Sequence, residues 1–353
     1  MTHEPGPDGP TDTPVGTATD TPVGSATDTP VASASASASA SATEAEVEAA
    51  WADTDLAQVL YHDWESGTYD DKWSISFDAR CISFAADRFA TALGPAAATA
   101  PRPMGRALEI GAGTGFFALN LRQAGWLHDV VVTDVSAGMV DVALGNARTL
   151  GFDDVEGAVA GITALPYPDD SFDLVLGHAV LHHVPDVEAG LRECLRVLRP
   201  GGRFVFAGEP TVIGDRYARA LGRATWAVTT RVTHLPRLRE RWARPVEELD
   251  ASSRAAALEA VVDLHTFDPG TLARTALRAG AVDVTTATEE LLAAFLGWPV
   301  RTFEAAVNPD RLGWGWAMFA YRGWQRLGAI DKVLHRVLPA ALFYDVSVTG
   351  TKA

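Results

Sequence analysis

The sequence predicts an α/β fold, a mostly parallel sheet with helices on both faces, and three observations carry that prediction. Between about residues 106 and 206, apolar segments of strand length alternate with segments of helical periodicity. The strand segments read as near-continuous apolar runs, as strands buried on both faces do. With 353 residues, 47% of them hydrophobic, the chain has ample material for a core of that kind.

Taken in order, residues 11–34 hold three imperfect copies of an eight-residue unit, TDTPVGTA, TDTPVGSA and TDTPVASA, followed by a Ser-Ala alternation. Such a tract buries too little apolar surface to offset its ordering entropy, so residues 1–45 are expected to be a disordered low-complexity tail. Residues 46–353 read as the folded domain. RALEI (106–110) is a strand, GAGTG a turn, and FFALNLRQA a helix that stops at Gly125. HDVVVTDVS is a second buried strand. Ser136 caps a helix in which Met139, Val140, Ala143, Leu144 and Ala147 recur at helical spacing. FDLVLGHA (172–179) is another strand, and VEAGLRECLRVLRPGG is a helix expected to end at Pro200-Gly201, with Val187, Leu191, Cys194, Leu195 and Leu198 on one face. GRFVFAGE follows as a strand.

Beyond Glu209 the alternation is interrupted twice. Residues 211–260 and 291–340 read as helical cap insertions, leaving a core of about 84–210, 261–290 and 341–353. Within the middle piece Asp268 caps a helix that Pro269 opens, and AVDVTTATEE is a strand. LFYDVSVTGTKA closes the chain as a final strand.

The net charge of −16 argues against nucleic acid as a partner, because phosphate binders present a basic footprint. No apolar run approaches the ~20 residues that span a bilayer, and the N-terminus is acidic rather than basic then apolar, so a cytoplasmic location is expected. Cys81 and Cys194 are far apart and lack metal-ligand spacing, so both are expected to be buried thiols and no metal is expected.

The most informative stretch is ALEIGAGTGFF. Gly111, Gly113 and Gly115, with Ala112 between the first two, separate a strand from a helix where a ligand meets bare backbone. A dinucleotide fingerprint sets its third glycine three residues after the second, and here the interval is two. That spacing disfavours nicotinamide and flavin cofactors and suits S-adenosylmethionine (SAM), which has no phosphate to cradle. Glu109 ends the first strand and can accept hydrogen bonds from the loop or, through water, from the ligand's ammonium. Asp134, at the tip of the second strand, stands where a carboxylate takes ribose hydroxyls.

LEIGAGTG (108–115), VVTDVS (131–136), ALPYPDDSFDLVLGHAVLHHVPD (164–186) and ECLRVLRPGGRFVF (193–206) together resemble the class I SAM-dependent methyltransferases, within them the branch of ubiquinone/menaquinone-biosynthesis and other small-molecule methyltransferases. The resemblance implies a Rossmann-like, seven-stranded, mostly parallel sheet. It implies that Glu109, Gly111, Gly113 and Gly115 surround the methionine portion, that Asp134 binds ribose, that Val135 and Met139 flank adenine, and that His178 faces the cofactor. The family usually carries an acidic residue where this chain has Gly161, so adenine recognition is expected from backbone around Gly161 and Ile162. WESGTYDDKWSISFD (64–78) resembles the aromatic lid of relatives, with Tyr69 and Trp73 as contacts.

Methyl transfer from a sulfonium needs alignment and exclusion of water more than a set of catalytic groups. Where the acceptor must lose a proton, His178, His182 and His183 are the candidate catalytic residues, because they cluster at the carboxyl-end rim of the sheet. Between Asp215 and Pro245, Arg216, Arg219, Arg223, Arg231, Arg237, Arg239, Arg241 and Arg244 accompany Trp226 and Trp242. This points to a small-molecule acceptor, apolar or lipid-like, reached through the cap, and leaves peripheral membrane contact open. The alternatives are a SAM-binding protein without turnover and, less favoured, a nicotinamide-dependent oxidoreductase.

Overall fold

Each strand of the sheet sends alternate residues to opposite faces, and the two sets of apolar residues that result define the layers. The computed structural model describes residues 53–67, 69–70, 75–245 and 262–353. The expected tail at residues 1–45, Trp73 and much of the second half of the first insertion lie outside the described residues. The elements are α1 (Thr54–Glu65), α2 (Ala79–Leu93), β1 (Ala107–Ile110), α3 (Phe116–Gln123), β2 (Val130–Asp134), α4 (Ala137–Thr149), β3 (Glu156–Val159), β4 (Phe172–His178), α5 (Val187–Val197), β5 (Leu198–Pro210), α6 (Val212–Thr233), α7 (Pro269–Ala279), β6 (Val282–Glu289), α8 (Leu292–Ala306), α9 (Trp314–Leu334) and β7 (Asp345–Thr351).

The seven strands lie in the order β3-β2-β1-β4-β5-β7-β6. β1 to β5 are mutually parallel, and β7 runs antiparallel between β5 and β6. Phe89 of α2, Phe117 and Leu121 of α3, and Ala143 and Ala147 of α4 pack with Val130, Val132, Leu174, Leu176 and Val205 on one face. Leu191 and Cys194 of α5, with Leu272 and Ala276 of α7, pack with Leu108, Val131, Val175, Phe204 and Phe206 on the other. Val130–Val131–Val132 and Phe204–Val205–Phe206 thus alternate strictly between the layers, and full burial of a side chain of this size contributes about 1.5–3 kcal/mol.

Helix starts follow local chemistry. Ser136 Oγ accepts from Met139 N at 3.0 Å, Asp186 caps α5, and Asp268 caps α7 with Pro269 in its first turn. Two readings of the sequence need correction, and one strand left no signal to read. β3 carries no apolar pattern because it is an edge strand, largely exposed. α5 ends at Val197, and Pro200-Gly201 lies inside the long β5, where Leu198 already pairs with Phe172. Cys194 is buried as expected, but Cys81 is only half-buried.

The order of strands reverses between β1 and β4, and ligands of such sheets sit at the carboxyl ends beside that reversal. There α6, α8 and α9, with α8 packed on both of the others, join the strand ends to enclose a cavity of about 760 Å³. No described helix is long and apolar enough to cross a membrane.

Candidate functional site

The turn after β1 is a run of left-handed glycines: φ is +58° at Gly111, +53° at Gly113 and +85° at Gly115. A Cβ on Gly111 would stand 2.3 Å from Val180 Cγ2, so packing requires that glycine, while one on Gly115 would stand 2.7 Å from Leu119 Cδ1, the movable end of a side chain, so there the left-handed φ is the main requirement. Gly113 differs. A Cβ there would meet only Tyr69, at 3.7 Å, so the space over Gly113 is not needed by the chain's own interior.

The carboxylates around this turn have separate tasks. Asp134 accepts from Gly113 N at 2.9 Å and Ser136 N at 3.0 Å, which ties the glycine turn to the tip of β2. Glu109 is buried and accepts from Ala118 N at 3.3 Å; burial, with Asp134 nearby, holds its carboxyl well above the usual carboxylate range. Asp63 of α1 binds Ser136 Oγ and accepts from Gly138 N at 3.1 Å, and Asp70 accepts from Thr114 Oγ1 at 2.5 Å. The N-terminal segment therefore lies over the glycine turn and the start of α4, with Tyr69 above Gly113. Val135 packs beside Gly161, Met139 is fully buried, and the Ile162 side chain turns inward against Gly190 of α5.

At the end of β4, His178 sits among Phe117, Phe116 and Phe84 with ring centroids 5.1, 5.6 and 6.2 Å away. Among the described residues its Nε2 is buried without a partner, and burial lowers its pKa to about 3, with Arg88 and His182 adding to the shift. His178 is therefore neutral at physiological pH and too weak a base to draw a proton from an acceptor. His182 is held differently: its Nδ1 lies 2.8 Å from Glu209 Oε2. Glu209 is wholly buried and also accepts the backbone N–H groups of Val180, Leu181 and His182 at 2.9, 2.9 and 3.1 Å. His183 Nδ1 is 3.0 Å from the Val262 carbonyl, and burial, with His182 and His62 close by, holds its pKa well below the usual value. Asp263 lies across from both rings, its Oδ1 3.9 Å from His182 Nε2 and 3.7 Å from His183 Nδ1.

The cavity is lined by Glu109, Gly111, Ala112 and Tyr69 on the glycine side, by the three histidines at its rim, and by Trp298, Tyr321, Trp324 and Tyr344 from the cap and its return. Arg88 reaches its floor, paired with Asp345 at 2.5 Å and with Glu290. Burial raises the Glu290 carboxyl to about 7 against the opposing pull of Arg88. Of the eight cap arginines, Arg219 lines the cavity, where it pairs with Asp215 at 2.8 Å. Arg237, Arg239 and Arg241 are exposed and outside the lining, because the segment carrying them is a surface loop and a single helical turn, Arg239–Trp242.

The structure thus brings Glu109, Gly111, Ala112, Tyr69 and the three histidines onto one cavity, while Asp134, Val135 and Met139 lie behind the glycine turn. Asp63, Asp70, Glu209 and Asp263 were not singled out by the sequence. They reach the site only by tertiary packing, and only Glu209, an acid at the tip of an apolar strand, carried a local signal.

Two buried neutral histidines fix a pH dependence. For each the folded pKa lies below the unfolded ~6.5, so their contribution to stability is present above pH ~6.5 and is lost as pH falls through that value towards the folded pKa, about 3 for His178. Urea denaturation should show stability declining from pH 6.5 to 4, with a shallower decline in His178→Asn. An equal slope in the variant would contradict the assignment.

Residues 108–206 match the family described as "Methyltransferase domain". The chain is 44% identical over 108 residues to a demethylmenaquinone methyltransferase of Clavibacter sepedonicus, covering 31% of this chain and 42% of that one. It is 35% identical over 157 residues to the 27-O-demethylrifamycin SV methyltransferase of Amycolatopsis mediterranei, covering 42% and 57%. The chain spans about half the length of the curated relatives it matches. Among solved structures, a Haemonchus contortus phosphoethanolamine N-methyltransferase in complex with S-adenosylhomocysteine aligns over 83% of this chain and 60% of that one, at 15% identity and a TM-score of 0.48.

Proposed function

We propose, from the match of residues 108–206 to a methyltransferase domain, that this chain is a class I SAM-dependent methyltransferase that transfers a methyl group from SAM to a small-molecule acceptor held in the cap cavity. The observation that carries this reading is the left-handed glycine turn at the sheet's reversal point, which opens on the same cavity as His178 and His182. In this reading the methionine portion of SAM lies over Gly111, Ala112, Gly113 and Gly115 beside Glu109, and the ribose lies at Asp134. Adenine lies between Val135 and Met139 on one side and the backbone of Gly161 and Ile162 on the other. Tyr69 covers the methionine portion, and α1 must yield at Asp63 for adenosine to enter.

Transfer is an in-line displacement. A lone pair of the acceptor forms a bond to the methyl carbon while the carbon–sulfur bond breaks, and that electron pair returns to sulfur, giving neutral S-adenosylhomocysteine. A hydroxyl or amine proton passes to His182 Nε2, whose Nδ1–H is held by Glu209. His178, neutral and apolar-walled, shapes the approach rather than taking the proton. The cavity's volume falls in the range of small-molecule sites, and its aromatic walls suit an acceptor with an apolar body.

Incubating the protein with SAM labelled in the methyl group and a cell extract, then partitioning between organic and aqueous phases, tests the reading. Label should move into a small molecule in the organic phase. Transfer only to aqueous species would contradict the apolar acceptor, and uptake of S-adenosylhomocysteine without any transfer would favour a binding protein instead.

A further inference from the structure

We propose that His182, His183 and Asp263 form a binding site for a divalent transition-metal ion, opening on the acceptor cavity. The two histidines occupy consecutive positions of a single helical turn, Leu181–His183, and their ring centroids lie 3.9 Å apart. Asp263 arrives from a segment some 80 residues later, and the three residues each bring one ligand atom within 4.8 Å of the others. An ion with bonds of about 2.1 Å draws its ligands to roughly 3.4 Å apart, an inward shift of at most about 1.4 Å, shared between the half-buried Asp263 side chain and the two histidine rings.

The tautomers support the assignment. The Val262 carbonyl only accepts hydrogen bonds, so His183 Nδ1 carries the proton and Nε2 the lone pair, and Asp263 Oδ1, now 3.7 Å from Nδ1, must swing toward Nε2 to share the ion. Glu209, fixed by three backbone N–H groups, imposes the same state on His182. Metal-bound histidines characteristically donate the remote N–H to a carboxylate or a backbone carbonyl, and this pair uses one of each. Two imidazoles and a carboxylate suit zinc, iron(II) or cobalt(II) rather than magnesium or calcium, and three protein ligands leave positions open toward the cavity. Two further cationic or titratable groups face the cluster: Arg219 Nη2 stands 3.6 Å from Asp263 Oδ2, leaving Oδ1 toward the rings, and the His62 ring centroid is 5.4 Å from that of His183.

The binding itself is independent of methyl transfer. What the ion does rests on that reading: an acceptor oxygen bound to it loses its proton more readily, and His182 becomes a ligand rather than the proton's destination.

The full chain, stripped with a chelator and without SAM, is titrated with cobalt(II) followed by visible absorption, then with zinc(II) by calorimetry. One equivalent of cobalt with ligand-field bands, displaced by zinc, is expected, and Asp263→Asn and His183→Gln should each weaken binding at least tenfold. Circular dichroism verifies that the variants fold, and the exposed side of Asp263 makes its variant the safer of the two. Absence of stoichiometric uptake, or uptake unchanged in Asp263→Asn, overturns the proposal. S-adenosylhomocysteine affinity, measured separately on the same preparation, reports on the glycine turn, so failure of the metal site and failure of the methyltransferase reading are told apart.

Discussion

Gly113→Val is expected to fold and to lose its cofactor. The native φ of +53° costs a side-chain-bearing residue about 1–2 kcal/mol, a drop of a few degrees in melting temperature for a chain of this size. The interior imposes no further penalty, because an added Cβ meets only Tyr69 at 3.7 Å, an ordinary contact. On the proposed placement of SAM, the branches of valine would instead fill the space in which its methionine portion approaches bare backbone. Affinity for S-adenosylhomocysteine should fall at least a hundredfold, measured by calorimetry on protein whose circular dichroism matches the parent. Gly111→Val is the control: its Cβ would stand 2.3 Å from Val180, so the fold itself should suffer. Cofactor affinity unchanged in Gly113→Val would mean that the turn does not receive it.

The second large effect is expected at Glu209. Its side chain is wholly buried and satisfies four donors: the N–H groups of Val180, Leu181 and His182, and the His182 ring. Glu209→Ala leaves all four without their acceptor, and a buried donor left unsatisfied costs about 1–3 kcal/mol, so the loss should be several kcal/mol. Glu209→Gln keeps one accepting oxygen and should cost roughly half as much. Either variant also releases the turn Leu181–His183, so methyl transfer should fall by about 10² or more even where the protein remains folded. Urea denaturation reads the first effect and single-turnover transfer the second. A loss of stability below about 1 kcal/mol in Glu209→Ala would show that the network does not hold the turn.

How far the sequence could be read follows from where each signal arises. β1, β2, β4 and the helices after them were legible because burial on two faces writes itself as unbroken apolar strands and 3.6-residue periodicity. β3 was not, since the exposed segment Glu156–Val159 is held by pairing with β2 rather than by apolar burial. The end of α5 was misread because Pro-Gly after an apolar helix ordinarily stops it, whereas here the chain has already entered β5 at Leu198. The glycine turn from Gly111 to Gly115 and Asp134, proposed to hold the cofactor, were visible because strained backbone and strand ends are local properties. Asp63 meets Ser136 from 73 residues away and Glu209 meets His182 from 27, and nothing local announces such pairings. The exposed position of Arg237, Arg239 and Arg241, against the cavity position of Arg219, likewise depends on how the cap folds back.

The most direct measurement is a calorimetric titration of S-adenosylhomocysteine into the intact chain, with NADH as the comparison ligand. A single site for the homocysteine compound, no heat from NADH, and loss of the site in Asp134→Ala are the expected results. A folded protein that takes up NADH and gives no heat with S-adenosylhomocysteine would contradict the account at its root.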